Sequence, residues 1–252
     1  MQHIYARMRQ RARQIVTRFP PPDFYQDHRS ATELSQHHFE THPVTVQLRA
    51  FVAGQLEEDL GHGLEHAVKV ALDAGALMII ENNLAGYADN FSNRRVIVVQ
   101  CAGLLHDIQR KQENHARQGA AYAKKLLEIY PLDPGEIEDI CRAIFNHEAF
   151  KSTTDIETIA GVLVSDCLYD ADKFRWGPDN FTDTIWSMVT FSKTPVARFI
   201  EIYHQGMDKI AKIKDTFRST TGKKYGPQFI DLGLAIGQEL FQVIQTEFAD
   251  LL

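Results

Sequence analysis

The sequence predicts an all-α, single-domain protein. Apolar residues recur at spacings of three and four through most of the chain, strand-like alternation is never sustained, and the proline and glycine clusters fall between the periodic segments. With 252 residues, 44% hydrophobic and 24% charged, the chain is long enough to bury a substantial core.

Met1 to Phe19 reads as a basic amphipathic helix rich in Arg and Gln. Pro20-Pro21-Pro22 ends it, because proline can neither donate to a helix nor continue one. Packing on the body is the expectation for this helix rather than membrane contact. The organisation expected is an N-terminal helix with a proline-rich connection over 1–24, then a helical body over 25–252. Val44 to Leu60 is the next candidate helix and His62 to Ile80 another. In the latter, Leu64, Ala67, Val68, Ala71 and Leu72 form one stripe, with His62, His66 and Asp73 on a neighbouring face. Glu81 to Asn93, with Asn82, Asn83 and Gly86, reads as a looped connection. Val96 to Ile108 is locally strand-like but too long for a typical strand, and is predicted to be a buried helix.

Asn114 or a neighbour is expected to cap a helix that starts near His115 and runs through Leu127 until Pro131. Asp133-Pro134-Gly135-Glu136 is a fresh helix start, with proline in the first turn and acids at the positive end of the dipole. Ile137, Ile140, Cys141 and Ile144 on that helix are spaced to bring His147 to the same side. A helix over Asp155 to Asp172 follows, then a turn at Gly177-Pro178-Asp179-Asn180, and helices resume near Thr182 and Pro195. Gly222 to Pro227 predicts a break before a final helix from Gln228 to Leu252.

Composition narrows the function. With 27 basic against 33 acidic residues the net charge is −6, and no basic stretch can follow a nucleic-acid backbone, so a nucleic-acid polymer is not an expected partner. No segment approaches the roughly 20 apolar residues of a membrane span, and the N-terminus lacks a signal-peptide core. A cytoplasmic protein without a membrane partner is expected. Cys101, Cys141 and Cys167 are odd in number, form no paired ligand motif and read as small core residues.

The chemistry concentrates at His106-Asp107, which closes the apolar run in Leu104-Leu105-His106-Asp107-Ile108. Burying an unpaired ionisable group costs several kcal/mol, and a divalent metal would satisfy both side chains. His66, His115, His147 and Asp172 each lie beside a helix-like pattern and complete a candidate donor set. His62 and His66 stand four apart, but no Glu follows the first His as in the helical zinc-protease motif. His62, between Gly61 and Gly63, suits a cap or a substrate contact better. Asp166, Asp170 and Asp172 crowd one region, and their mutual repulsion would raise their pKa values unless a cation or a basic group offsets it; one of them is expected to meet the metal and the others to be solvated. Arg110, Lys111, Lys173 and Arg175 flank these segments and are either substrate-binding cations or a solvated rim. Tyr169 and Trp176 either pack or stack on a base.

The order His66, then His106-Asp107, then Asp172 in Tyr169-Asp170-Ala171-Asp172-Lys173 resembles the HD-domain superfamily of metal-dependent phosphohydrolases. The resemblance covers roughly residues 60–176. It fades outside, although the stretch from Ile210 to Phe217 is similar to the C-terminal helix of bacterial members that act on nucleotides. The chain departs from the cyclic-dinucleotide branch, having a short loop between Asp107 and His115 and no Gly-Tyr-Pro signature. Phe174-Arg175-Trp176-Gly177-Pro178 also replaces the acid-bearing continuation of the nucleotide-hydrolysing branch.

The resemblance implies a helical bundle of the HD type. It implies a divalent Mn, Fe, Co, Ni or Zn ion held by His66, His106, Asp107 and Asp172, with His115 and His147 available for a second ion or for substrate. The implied reaction is attack of a metal-activated water on a small phosphorylated substrate such as a nucleotide. Asp107, His115 and His147 would then be catalytic, one of the histidines giving a proton to the leaving oxygen. His62, Arg110, Lys111, Lys173 and Arg175 would contact substrate. Two other functions fit the same residues: a di-iron oxygenase of the HD type, and a metal-containing protein that binds a phosphate ligand without turnover.

Overall fold

The computed structural model describes residues 2–56 and 63–248. Every regular element among them is helical, as the periodicity predicts. In chain order the first helices are Gln2–Val16 (α1), Asp23–Asp27 (α2), Arg29–Thr41 (α3), Pro43–Ala53 (α4), Leu64–Ala85 (α5) and Asp89–Leu105 (α6). His115–Leu127 (α7), Pro134–Phe145 (α8) and Ile159–Phe174 (α9) follow. A π-helical turn over Asn180–Thr184 leads into Ile185–Phe191 (α10), then come Val196–Ile213 (α11) and Thr220–Glu247 (α12).

A hairpin of α5 and α6 forms the centre. Helices α3 and α4 cover it on one side, α8 and α9 pack on it as well, and α7 lies on α8. Over residues 70–78 of α5 and 95–105 of α6 nearly every side chain is buried and most are apolar, as in helices enclosed by others. On α1 the buried residues Tyr5, Met8, Ala12 and Ile15 recur at three and four and join the same apolar cluster as α5 and α6. The Tyr5 hydroxyl donates to the Thr194 carbonyl (2.8 Å) and Arg9 reaches the Thr182 carbonyl (2.9 Å), which fastens α1 to the α10 region.

Four boundaries depart from the sequence reading. Helix α4 ends at Ala53, with Gly54 in the terminating turn, and residues 57–60 of the predicted helix lie outside the described residues. The expected loop over Glu81 to Asn93 is mostly helix: α5 continues to Ala85, and α6 already starts at Asp89. Glu81 and Asn82 are buried there, Glu81 accepting from the Thr221 N–H (2.7 Å) and Asn82 donating to the Ser92 carbonyl (3.3 Å). Gly86 alone ends α5, in the left-handed conformation (φ 70°) that glycine adopts without a Cβ penalty. Helix α9 begins after Thr158, whose hydroxyl accepts from the Gly161 N–H (3.0 Å), so Asp155 lies outside it.

The fourth departure is the predicted break at Gly222 to Pro227, through which α12 runs without interruption. Its start is held by three side chains. Asp170 accepts from the Arg218 and Ser219 N–H groups (both 2.8 Å), Ser219 caps Gly222 (2.9 Å), and Glu81 takes Thr221. These bonds take up the Ser219, Thr221 and Gly222 N–H groups at the start of α12, and the helix tolerates the bond that Pro227 cannot make.

Candidate metal centre

Three elements deliver the central side chains. The first turn of α5 carries His66, the end of α6 presents His106 and Asp107, and the last turn of α9 presents Asp172. The approach of α5 to α6 depends on Gly103, where a Cβ would lie 2.6 Å from the Ala71 Cα. The Gly103 carbonyl also accepts from His106 Nδ1 (2.7 Å). A carbonyl cannot donate, so Nδ1 carries the proton and a neutral His106 presents the lone pair of Nε2. His147 is held the same way, its Nδ1 donating to the Ile144 carbonyl (2.6 Å).

These nitrogens converge with carboxylate oxygens. His66 Nε2 lies 3.2 Å from His106 Nε2, 3.5 Å from Asp172 Oδ1 and 4.0 Å from Asp107 Oδ2. His106 Nε2 lies 3.4 Å from Asp107 Oδ2 and 3.9 Å from Asp172 Oδ1. The other Asp107 oxygen, Oδ1, faces His115 Nε2 (3.4 Å) and His147 Nε2 (3.5 Å). Two buried groups, His66 with His106 and Asp107, and Asp107 with His115 and His147, are thus able to hold a metal ion and share one carboxylate. Imidazole and carboxylate donors without thiolate fit a divalent transition metal. Arg110 already stands beside the second group, its Nη1 2.8 Å from His115 Nε2 and 3.9 Å from Asp107 Oδ1.

Burial opposes protonation of His106, yet the Asp107 and Asp172 carboxylates outweigh it and raise the pKa. Burial likewise works against the Asp172 anion, but Lys173, His66 and His106 hold its pKa well below the usual carboxylate range. At His115 burial, helped by the Arg110 guanidinium and the neighbouring His147, prevails over Asp107 and pushes the pKa down to about 4.

The cluster opens into a cavity of about 480 Å³ whose polar lining comprises Asp107, Asp172, His147, Glu148, Arg110 and Lys173, with Lys209 and Lys212 from α11. Trp176 lines it too, as does Phe150, which is 66% exposed on a left-handed backbone (φ 62°).

Other predicted site residues fall elsewhere. His62 lies outside the described residues. Lys111 is exposed and does not line the cavity. Arg175 is buried, pairs with Asp73 and Asp179 (2.5 Å to the latter) and donates to Tyr25 (2.9 Å); it does not line this cavity but borders a smaller pocket together with His66. Asp170 anchors α12, Asp166 is half-buried, and Tyr169 packs under the Arg218 guanidinium (3.5 Å). Asn114 stands at the N-cap of α7 with a left-handed backbone (φ 54°), and its side chain makes no capping bond. Sequence reasoning missed Lys209 and Lys212. Their only signal is two lysines one turn apart on the polar face of an amphipathic helix.

With this geometry in place, comparison with protein families assigns residues 63–177 to the HD domain. That segment spans α5 to the end of α9 and contains all six clustered side chains. The match is to that segment, under half of the chain, and it is consistent with the resemblance to the HD-domain superfamily read from the sequence. Comparison with curated proteins and with solved structures gave no match. No helix among the described residues is long and apolar enough to cross a membrane.

Proposed function

We propose that the protein is a metal-dependent phosphohydrolase acting on a small phosphate ester of the nucleotide type, with His66, His106, Asp107 and Asp172 holding one divalent ion. The observation that carries this reading is that the His66 and His106 Nε2 atoms each lie within 4.0 Å of the other and of both carboxylates, Asp107 and Asp172, which in turn line a cavity with Arg110, Lys173, Lys209 and Lys212. When bound, the ion supplies Lewis-acid polarisation of a phosphoryl oxygen and lowers the pKa of a water toward neutrality.

The chain's own groups supply the rest. Arg110 and Lys173 flank Asp107 and Asp172 and are placed to offset charge that develops on the phosphoryl oxygens. An arginine only donates, so its contact at 2.8 Å leaves His115 Nε2 with a lone pair. His115 therefore suits a ligand or a base. His147, its Nδ1 held by a carbonyl and its Nε2 facing inward, suits a proton relay in which Nε2 would first take a proton and then pass it to the leaving oxygen. Lys111 and Arg175 stand off the cavity, so this reading gives the substrate contacts to Arg110 and Lys173. The same proposal includes a cytoplasmic protein and the division at residues 1–24 and 25–252.

A second reading, a di-iron oxygenase, is favoured by one observation: Asp107 also faces His115 and His147. Arg110 weighs against it, since its guanidinium stands where a second cation would lie. Elemental analysis followed by a phosphate-ester panel tests the choice. One transition-metal equivalent per chain with phosphate release supports the hydrolase. Two irons with oxygen consumption support the oxygenase, and bound metal without turnover on the whole panel supports a phosphate-binding protein.

A further inference from the structure

Two lysines in the cavity have no task in the chemistry above. Lys209 and Lys212 lie on α11, outside the HD segment, and stand about one turn apart on one side of the helix. Both line the cavity that contains Asp107 and Asp172. Both are exposed, and neither has an ion-pair partner among the described residues, whereas the neighbouring Lys214 is paired with Asp231 at 2.7 Å.

Local charge makes this arrangement informative. Like charges one turn apart on a helix are unfavourable, so a pair kept beside a concave site is suited to an anion. Of the three acids that line the cavity, Asp107 and Asp172 belong to the donor cluster and Glu148 stands beside it, 3.9 Å from His115 Nδ1, against the four cations Arg110, Lys173, Lys209 and Lys212. A space of about 480 Å³ is also of the size that holds a whole small molecule rather than one phosphate. Arg110 and Lys173 already flank the reacting end, which leaves the α11 pair for negative charge elsewhere on the substrate.

We infer that Lys209 and Lys212 form a subsite for a second, non-reacting phosphoryl group, so that the substrate carries at least two phosphoryl groups. This rests on the phosphohydrolase reading for the scissile end, while the α11 subsite can be measured by binding alone. Supplying it from outside the HD segment separates the two tasks: the cluster within that segment handles phosphorus, and α11 selects what the phosphorus is attached to.

The test uses the full-length, metal-loaded protein and titration calorimetry with adenosine 5′-monophosphate, adenosine 5′-diphosphate and adenosine 3′,5′-bisphosphate. These probes add a second phosphoryl group at two different separations. The wild-type protein is expected to bind at least one two-phosphate ligand about tenfold or more tighter than the monophosphate, as charge-assisted bonds to two ammonium groups imply. Lys209→Ala/Lys212→Ala should remove that preference, and Lys214→Ala should keep it. Equal binding of all three ligands by wild type, or a preference that survives in the double variant, overturns the proposal.

Hydrolysis of p-nitrophenyl phosphate by wild type, measured in parallel, keeps the two readings apart. Turnover without the two-phosphate preference leaves the hydrolase and removes the subsite. A lysine-dependent preference without turnover on any ester leaves the subsite and removes the hydrolase.

Discussion

Helices α5 and α9 each contribute to two buried polar clusters, and the clusters are built on opposite principles. At one, His66 and Asp172 meet at 3.5 Å beside His106 and Asp107. At the other, about two turns along α5, Asp73 meets Arg175, with Asp179 and the Tyr25 hydroxyl completing the shell. The second cluster carries its own guanidinium between two carboxylates. The first gathers electron-pair donors, with His106 and His147 each committing one ring proton to a backbone carbonyl and turning the other nitrogen inward. Burial alone therefore does not mark a functional site. What distinguishes the first cluster is that, inside the flanking Lys173 and Arg110 cations, imidazole nitrogens and carboxylate oxygens face one another and suit a further cation.

The largest expected effect strikes the first cluster. His106→Ala should abolish metal binding and turnover while far-UV circular dichroism keeps most of the helical signal. Full metal occupancy in that variant would remove the assignment of the cluster. Arg175→Ala should do the reverse, lowering the unfolding free energy by about 3–5 kcal/mol because Asp73 is left buried without its guanidinium. Metal per chain, measured below the shifted melting temperature, should be unchanged. Adding Asp73→Leu to Arg175→Met should recover part of the loss in urea titrations, since no uncompensated charge then remains. A cost for Arg175→Ala below about 1 kcal/mol would erase the contrast.

Gly103→Ala should touch both properties. The new Cβ meets the Ala71 backbone, so α6 must move away from α5, at a cost of about 1–3 kcal/mol. His106 shifts with it relative to His66, and metal affinity should fall while some occupancy remains at high metal.

The smallest effect lies away from both clusters. Glu136 closes the capping box of α8 with Asp133 and bonds Arg94 (2.6 Å). Burial acts to raise its pKa, but Arg94 and the Asp133 N–H outweigh burial and lower it. A carboxylate depressed by folding contributes stability above its unfolded value, near 4.3, and loses it as pH falls through the folded value. Glu136→Gln should therefore cost about 1 kcal/mol at neutral pH, and the difference from wild type should shrink toward zero in acid.

The sequence carried the helical periodicity and the six clustered residues because both are local signals: repeats of three and four, and polar side chains set against apolar stripes. Arg175 shows where local reading stops. Its position three residues after Asp172 predicts a cation near the site, and the fold adds a pairing with Asp73 that joins residues far apart in the chain. Pro227 fails for a related reason, since the bonds that hold the start of α12 come from Glu81 and Asp170. Lys209 and Lys212 were illegible because a solvated face and a cavity wall look alike until α11 is placed.

Asp107 presents one oxygen to His66 and His106 and the other to His115 and His147. An ionised carboxylate has two equivalent oxygens, so half a turn about its last bond changes nothing. An amide at this position would lose that symmetry. It would offer an acceptor to one pair of imidazoles and hydrogens to the other, and each flip would exchange the two. Asp107→Asn would therefore turn a fork into a two-way selector, with each molecule able to serve only one pair of imidazoles at a time.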